Sequence, residues 1–324
     1  LGDRIFFCGF TCSPAPWMCL ILLSFQDHPE SPLLLAGNRD EFYARPTAPP
    51  HLLNDSPRIW GGKDLSAGGT WMGVNENGLM AAITNRYGCP RPPTDPPRSR
   101  GEIVMGLLAR ESPEAAAGWL EGLNPADYRP YTVLFGSPLR FYCHSSLDNT
   151  PPVSLAPGCY ALSNAGLNDV SWPKVARSLA FWKASRRLPG EALIGGLQRF
   201  LRNAQWPEPV LGEEAFVLRD VEPSGAGLSG PSEKTGTELS GPDPSEKTGT
   251  ELSGPDPSEK TGTELSGPMG AVFIRTETFG TRSSAILTAG GRLGLRYYYA
   301  DEEPLIRSLG RPEENPFRRV PLEG

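Results

Sequence analysis

CLILLSFQDHPESPLLLAGNRDEFYARP, residues Cys19–Pro46, carries the reading from which the rest of the chain follows. Two apolar runs, Cys19–Phe25 and Leu33–Gly37, stand on either side of a turn containing His28 and Pro29, the pattern of two strands and their connection. The second run ends abruptly in Asn38, Arg39, Asp40 and Glu41. A mostly buried strand thus delivers a polar cluster to its own end.

The same juxtaposition recurs along the chain. Asn85 and Arg86 follow LMAAIT, Asn164 follows CYALS, and Thr281 and Arg282 precede SSAIL. One such cluster is an ordinary strand end. Four of them, with Asn and Arg repeated, suggest convergence on one cavity.

Further strands are expected at Trp71–Val74 and Leu79–Thr84 around the turn Asn75–Gly78, at Tyr131–Phe135, Arg140–His144 and Cys159–Ser163. Phe273–Thr276, Ser284–Thr288 and Leu293–Tyr299, with Gly290 and Gly291 as a hairpin turn, complete them. Helices are expected at Gly101–Arg110, Pro113–Leu123 (capped by Ser112), Trp172–Arg187 (capped by Ser171) and Glu191–Asn203. Strands cluster instead of alternating with helices, which favours two packed antiparallel sheets with helices outside over a doubly wound sheet.

Composition excludes several classes. The 324 residues have the apolar content of a globular chain and a net charge of −6. Residues 221–268 hold nine acids and three lysines, so the remainder is neutral and offers no basic field for nucleic acid. No run approaches a membrane span; peripheral membrane association stays open. The six cysteines are scattered without a CxxC, as expected of reduced thiols, and neither a metal site nor a cofactor is expected. From Ser232 the unit SEKTGTELSGPDP repeats with a period of thirteen residues, and Val221–Pro268 reads as a disordered loop grown by tandem duplication. His28 and His51 read as solvated, Trp60 and Trp71 as lids on the core, and Pro90–Arg98 as a surface loop.

Taken in order, Met18-Cys19, AGNRDEFYARP (Ala36–Pro46), GGTWMG (Gly68–Gly73), AAITN (Ala81–Asn85), RGE (Arg100–Glu102), Leu162–Ala165 with SWPK (Ser171–Lys174), and GTRSSAIL (Gly280–Leu287) resemble the NRDE family, also called transport and Golgi organisation protein 2. The resemblance covers nearly all of Met18–Phe317. It implies a single domain over 18–317 interrupted by the 221–268 loop, a 1–17 extension outside the family, and a 318–324 tail. The family in turn looks like the N-terminal-nucleophile hydrolases, the branch of penicillin V acylases and bile-salt hydrolases. The fold this implies is α+β, a four-layer αββα sandwich of two antiparallel sheets with flanking helices.

Residue by residue, the resemblance implies Cys19 as nucleophile, Asn85 as an oxyanion-hole asparagine, Asn164 as a second asparagine, and Arg282 as a late supporting arginine. Asn38, Arg39 and Asp40, with Glu41 beside them, fall where the hydrolases orient the nucleophile, in an altered register: Asn stands in the expected Arg place and Arg follows. A nucleophilic thiol needs a base or nearby cation, which the α-amine of Cys19 could supply once Met18 is removed. Arg39 and Arg282, converging on the thiol, are expected to lower its pKa. Leu1–Trp17 is expected to lie loosely at the pocket rim. Two functions follow from the resemblance. One is a cytoplasmic protein, with Golgi and mitochondrial association, that supports Golgi organisation, secretion, and haem or lipid handling by binding a small ligand. The other is a cysteine amidohydrolase acting on a small or acylated amide.

Overall fold

The two runs around His28 and Pro29 form strands β1 (Leu20–His28) and β2 (Ser31–Phe42), antiparallel, with Leu20 opposite Asn38. In a computed structural model of the chain, the described residues are 19–86, 98–148, 150–204, 271–309, 311 and 313–322. The expectations for Leu1–Trp17, Cys89, the proline-rich run as far as residue 97, and Val221–Pro268 lie outside them.

β1 explains its own unbroken apolarity. Ile21, Leu23 and Phe25 enter one core cluster, while Leu20 and Leu22 enter another on the opposite face. A strand covered on both sides has no reason to alternate. Each fully buried leucine contributes about 1.5–3 kcal/mol by leaving water.

β1 and β2 lie at the centre of a seven-stranded antiparallel sheet. On the β1 side follow β10 (Gly158–Ser163) and β11 (Gly166–Leu167). On the β2 side follow β12 (Phe279–Ala289), β13 (Arg296–Asp301) and β14 (Arg318–Arg319). The second sheet has seven strands in sequence order: β3 (Thr47–Asp55), β4 (Arg58–Asp64), β5 (Met72–Asn75), β6 (Met80–Asn85), β7 (Tyr131–Gly136), β8 (Phe141–Ser145) and β9 (Val153–Ser154). Leu23, Leu35 and Leu287 of the first sheet meet Met72, Met80 and Leu134 of the second in one buried cluster.

Helices close both outer faces. α1 (Arg100–Leu108) and α2 (Pro113–Glu121) pack Ile103, Leu107 and Leu120 on Ala81, Val133 and Phe135 of the second sheet. α3 (Pro173–Ser185) and α4 (Gly190–Leu201) pack Phe181, Trp182 and Leu197 on Leu22, Leu34 and Ile286 of the first. A short α5 (Glu302–Arg307) follows β13. The layering is helix, sheet, sheet, helix, as expected. Among the described residues no helix is long and apolar enough to cross a membrane.

Several local expectations need correcting. Ser112 caps α2, accepting from the Ala115 amide at 3.1 Å, but Ser171 does not cap α3. Its hydroxyl donates to Asp169 Oδ1 at 2.6 Å, a local competitor for the same group. Phe273–Thr276 is not a strand: the segment folds back on β12 through one bridge, Arg275 to Gly280. β3 escaped the reading because Pro49 and Pro50 argue against a strand, yet β3 is the edge of its sheet, where missing donors are tolerated. Residues 318–320 are no tail, since β14 pairs with β13 and Val320 is buried in the central core. His28 is buried, with Nε2 2.8 Å from the Leu188 carbonyl oxygen.

Candidate functional site

Cys19 stands one residue before β1, between two strands. Leu20 is opposite Ser163 of β10 and Asn38 of β2, so one step outward Cys19 lies beside Asn164 and Arg39. Its thiol donates to the Asp40 carbonyl oxygen at 3.6 Å. Burial and then the charge of Asp40 push the thiol up to about 11, although Arg39 and Lys174 pull the other way. The expected lowering is therefore reversed: removing the thiolate from water outweighs the neighbouring cations. Burial pushes Cys143 and Cys159 further, to about 12.

A mouth that admits a small ligand also admits iodoacetamide, which should label Cys19 faster than Cys143 or Cys159, whose thiols burial raises further. The rate should climb as pH rises toward the thiol pKa. Equal labelling of the three, read by peptide mass spectrometry, would leave Cys19 a packing residue.

The NRDE cluster divides between the two faces of β2, as successive strand residues must. Asn38 faces the helices: Nδ2 donates to the carbonyls of Leu201 and Val272, each at 2.9 Å, and Oδ1 accepts from Ser284 Oγ at 2.6 Å. Asp40 faces the same way. It accepts from Thr281 Oγ1 at 2.7 Å and lies 3.5 Å from Lys174 Nζ, both partners of that ion pair being wholly buried. Burial raises the Asp40 carboxyl despite Lys174 and Thr281. Arg39 faces the other sheet. Its Nη2 donates to Asp64 Oδ2 at 3.2 Å, Glu41 is 3.7 Å away, and its guanidinium lies 4.6 Å from the Trp71 ring centroid. Arg45 completes the cluster, with Nε 2.7 Å from Asp64 Oδ2.

Arg282 is not among the leading influences on the Cys19 thiol. Its position falls where the register between β2 and β12 shifts, Thr281 facing Asp40 and Ser283 facing Arg39. Such a bulge leaves the extra residue unpaired and re-aims it. Arg282 Nη1 donates to the carbonyls of Phe42, Tyr43 and Arg45 at 3.0, 2.7 and 3.1 Å, and Nε is 2.7 Å from Glu302. It clasps the chain segment that carries Arg45. Nearby, an open groove of about 590 Å³ is lined by Tyr43, Arg275, Thr276, Glu277, Glu302 and Ile306.

A chain of contacts runs from Arg39 round to Asn164. The Trp71 carbonyl accepts from the Ile83 amide at 3.0 Å, which places the end of β6, with exposed Asn85 and then Arg86, beyond Trp71. The Arg86 guanidinium reaches the first sheet, where a Cβ built on Gly166 would meet it at 3.5 Å. Gly166 pairs with Ser163, beside Asn164. Gly69 and Gly101 bring the start of α1 to the same region: a Cβ on Gly69 would sit 2.5 Å from the Gly101 carbonyl carbon. Arg100 thereby arrives at Pro130, to whose carbonyl its Nη1 donates at 3.1 Å.

Cys19, Arg39, Asp40 and Asn164 thus gather at the end of the first sheet, with Asn85 on the end of β6 in the second. Asn38 and Arg282 turn away. Lys174 was missed, although a lysine opening a helix face otherwise made of Val175, Ser178, Phe181 and Trp182 is a signal. Among the described residues no cluster of His, Cys, Asp and Glu could hold a metal ion.

The sequence matches the model of a family described as Transport and Golgi organisation 2 over residues 18–298. A Mus musculus protein named Transport and Golgi organization 2 homolog is 31% identical over 217 residues, 61% of this chain and 77% of that one. A Bos taurus homolog is 34% identical over 217 residues, 60% and 76% of the two chains. The Drosophila melanogaster protein is 28% identical over 222 residues, 61% and 77%. Among solved structures, penicillin V acylase from Agrobacterium tumefaciens aligns over 88% of this chain and 83% of its own, at 10% identity and TM-score 0.44. A mutant conjugated bile acid hydrolase from Clostridium perfringens aligns over 94% and 92%, at 14% identity and TM-score 0.40.

Proposed function

The chain belongs to the Transport and Golgi organisation 2 family, and from that membership and the geometry around Cys19 we propose that it serves transport and Golgi organisation by holding a small amide-bearing ligand. One observation carries this reading. Arg39 Nη1 on β2 and Asn164 Oδ1 just past β10, on either side of Cys19, are both buried and have no hydrogen-bond partner among the described residues. An orphaned buried polar group costs about 1–3 kcal/mol, so such groups usually have something to meet. A donor and an acceptor on either side of one position match an amide: Arg39 donates to its carbonyl oxygen and Asn164 accepts from its N–H.

Among the ligands the resemblance implies, an acylated amide or amide-linked lipid fits these groups better than haem. Haem iron takes a His, Cys, Met or Tyr ligand, whereas the groups left unpartnered beside Cys19 are a guanidinium nitrogen and an amide oxygen, which are not haem ligands. The described histidines are engaged or remote: His28 is bonded at Leu188, His51 at Pro49, and His144 lies on β8. The working place we assign is the cytoplasm, with association at Golgi and mitochondrial surfaces.

The position of Cys19 ahead of a central strand favours a second reading, amide hydrolysis. With a pKa of about 11, roughly one thiol in ten thousand is ionised at pH 7. While Met18 is attached there is no α-amine to act as base. Freed, that amine has a reference pKa of about 7.7–8.0 and can take the thiol proton as Sγ attacks the carbonyl. Arg39 would then stabilise the oxyanion. The ammonium returns the proton to the leaving amine, and water hydrolyses the thioester.

Two forms, the full chain and one beginning at Cys19, should be compared on a panel of acyl amides, with intact mass checking each amino terminus. Binding in both is expected; multiple turnovers in the trimmed form alone would carry the second reading. Turnover by the full chain would sink the free-amine mechanism. Silence in both would leave ligand binding as the function, and absence of binding in both would remove it.

A further inference from the structure

The charges at the mouth are matched unequally. Arg39 and Arg45 share Asp64 and Glu41, and Lys174 is paired with Asp40. Arg86 and Arg100 have no carboxylate within ion-pair distance among the described residues. The Arg100 guanidinium spends one donor on a neutral oxygen, that of Pro130. The Arg86 backbone amide donates to the same oxygen at 3.0 Å, so the two residues meet at Pro130, Arg86 through its main chain and Arg100 through its side chain. Each is half-buried. A guanidinium partly withdrawn from water with no anion beside it carries a desolvation cost, and a neighbouring cation adds repulsion. Burial and the cations Arg129 and Arg45 lower the Arg100 pKa, while Cys19 and Glu41 act the other way, which sets Arg100 in the neighbourhood of the thiol.

We propose that Arg86 and Arg100 form an anion-receiving end of the Cys19 mouth, so that the ligand class is an amide carrying a carboxylate or a phosphate. This rests on the amide-binding reading above and adds the ligand's charge. Guanidinium forks suit either anion, since both present paired oxygens in matching geometry. Arg39 and Asn164 hold the amide beside Cys19. Arg86 reaches across from the second sheet over Gly166, and Arg100 arrives from the start of α1.

The test uses calorimetry on the full chain with three probes: N-octanoylglycine, its methyl ester, and the phosphate ester of N-octanoylethanolamine. Both anions should bind at least tenfold more tightly than the ester. Arg86→Gln with Arg100→Gln should remove that preference and leave ester affinity unchanged. The tighter of the two anions names the head group. Raising salt from 0.05 to 0.5 M on the unaltered chain should weaken the anions and spare the ester, a measurement that does not depend on the variant folding. Ester binding as tight as acid, or a preference that survives both substitutions or high salt, would overturn the proposal while leaving the amide pocket intact. Failure of all three probes to slow Cys19 alkylation would instead remove the pocket reading, and this proposal with it.

Discussion

Lys174→Met lowers the unfolding free energy by about 3–5 kcal/mol, the cost of leaving one member of a buried ion pair alone. Lys174 and Asp40 are wholly buried and 3.5 Å apart, and Thr281 meets the other carboxylate oxygen. Without the ammonium, Asp40 must ionise against burial or stay protonated. Its pKa is already raised in the folded state, so folding takes up protons between the unfolded and folded pKa values. Stability therefore falls as pH rises through that window, and more steeply in the variant, whose folded pKa is higher still. Urea unfolding at pH 5 and pH 8 should show the larger penalty at pH 8. The double variant Asp40→Asn, Lys174→Met should recover part of the loss and lose the pH dependence. An equal penalty at both pH values would mean that Lys174 does not act through Asp40.

Asn38→Ala should cost about 3–5 kcal/mol, because the Leu201 and Val272 carbonyls and the Ser284 hydroxyl lose their partner inside the protein, at about 1–3 kcal/mol for each orphaned group. Affinity for N-octanoylglycine, measured where the variant is folded, should change less than twofold. Asn38 lies on the helix face of β2, away from Arg39 and the mouth. A large loss of affinity with unchanged stability would place Asn38 in the ligand site after all.

These two residues show what sequence could and could not convey. Apolarity at successive positions of β1 was legible, because burial on both faces leaves no alternation to be confused by. The altered order Asn38-Arg39-Asp40 was visible too, and strand parity resolves it: Arg39 and Glu41 share one face, Asn38 and Asp40 the other. The aim of Arg282 was not legible. It depends on a bulge between β2 and β12, and nothing in GTRSSAIL marks where pairing slips. Lys174 and Arg100 stand within SWPK and RGE, but their proximity to Cys19 arises only when α3 and α1 pack on opposite sheets. The raised thiol pKa was illegible for a similar reason. Sequence shows which cations are near, whereas the desolvation that outweighs them is a property of packing.

The most direct test of the Cys19-centred pocket is the rate at which iodoacetamide modifies each cysteine of the full chain, with and without saturating N-octanoylglycine. Peptide mass spectrometry resolves the sites. The expected result is a slowing of Cys19 by at least tenfold, with Cys143 and Cys159 unchanged, since the ligand covers the thiol between Arg39 and Asn164. An unchanged Cys19 rate at saturation would contradict it, and would send the ligand elsewhere, such as the groove beside Tyr43 and Glu302.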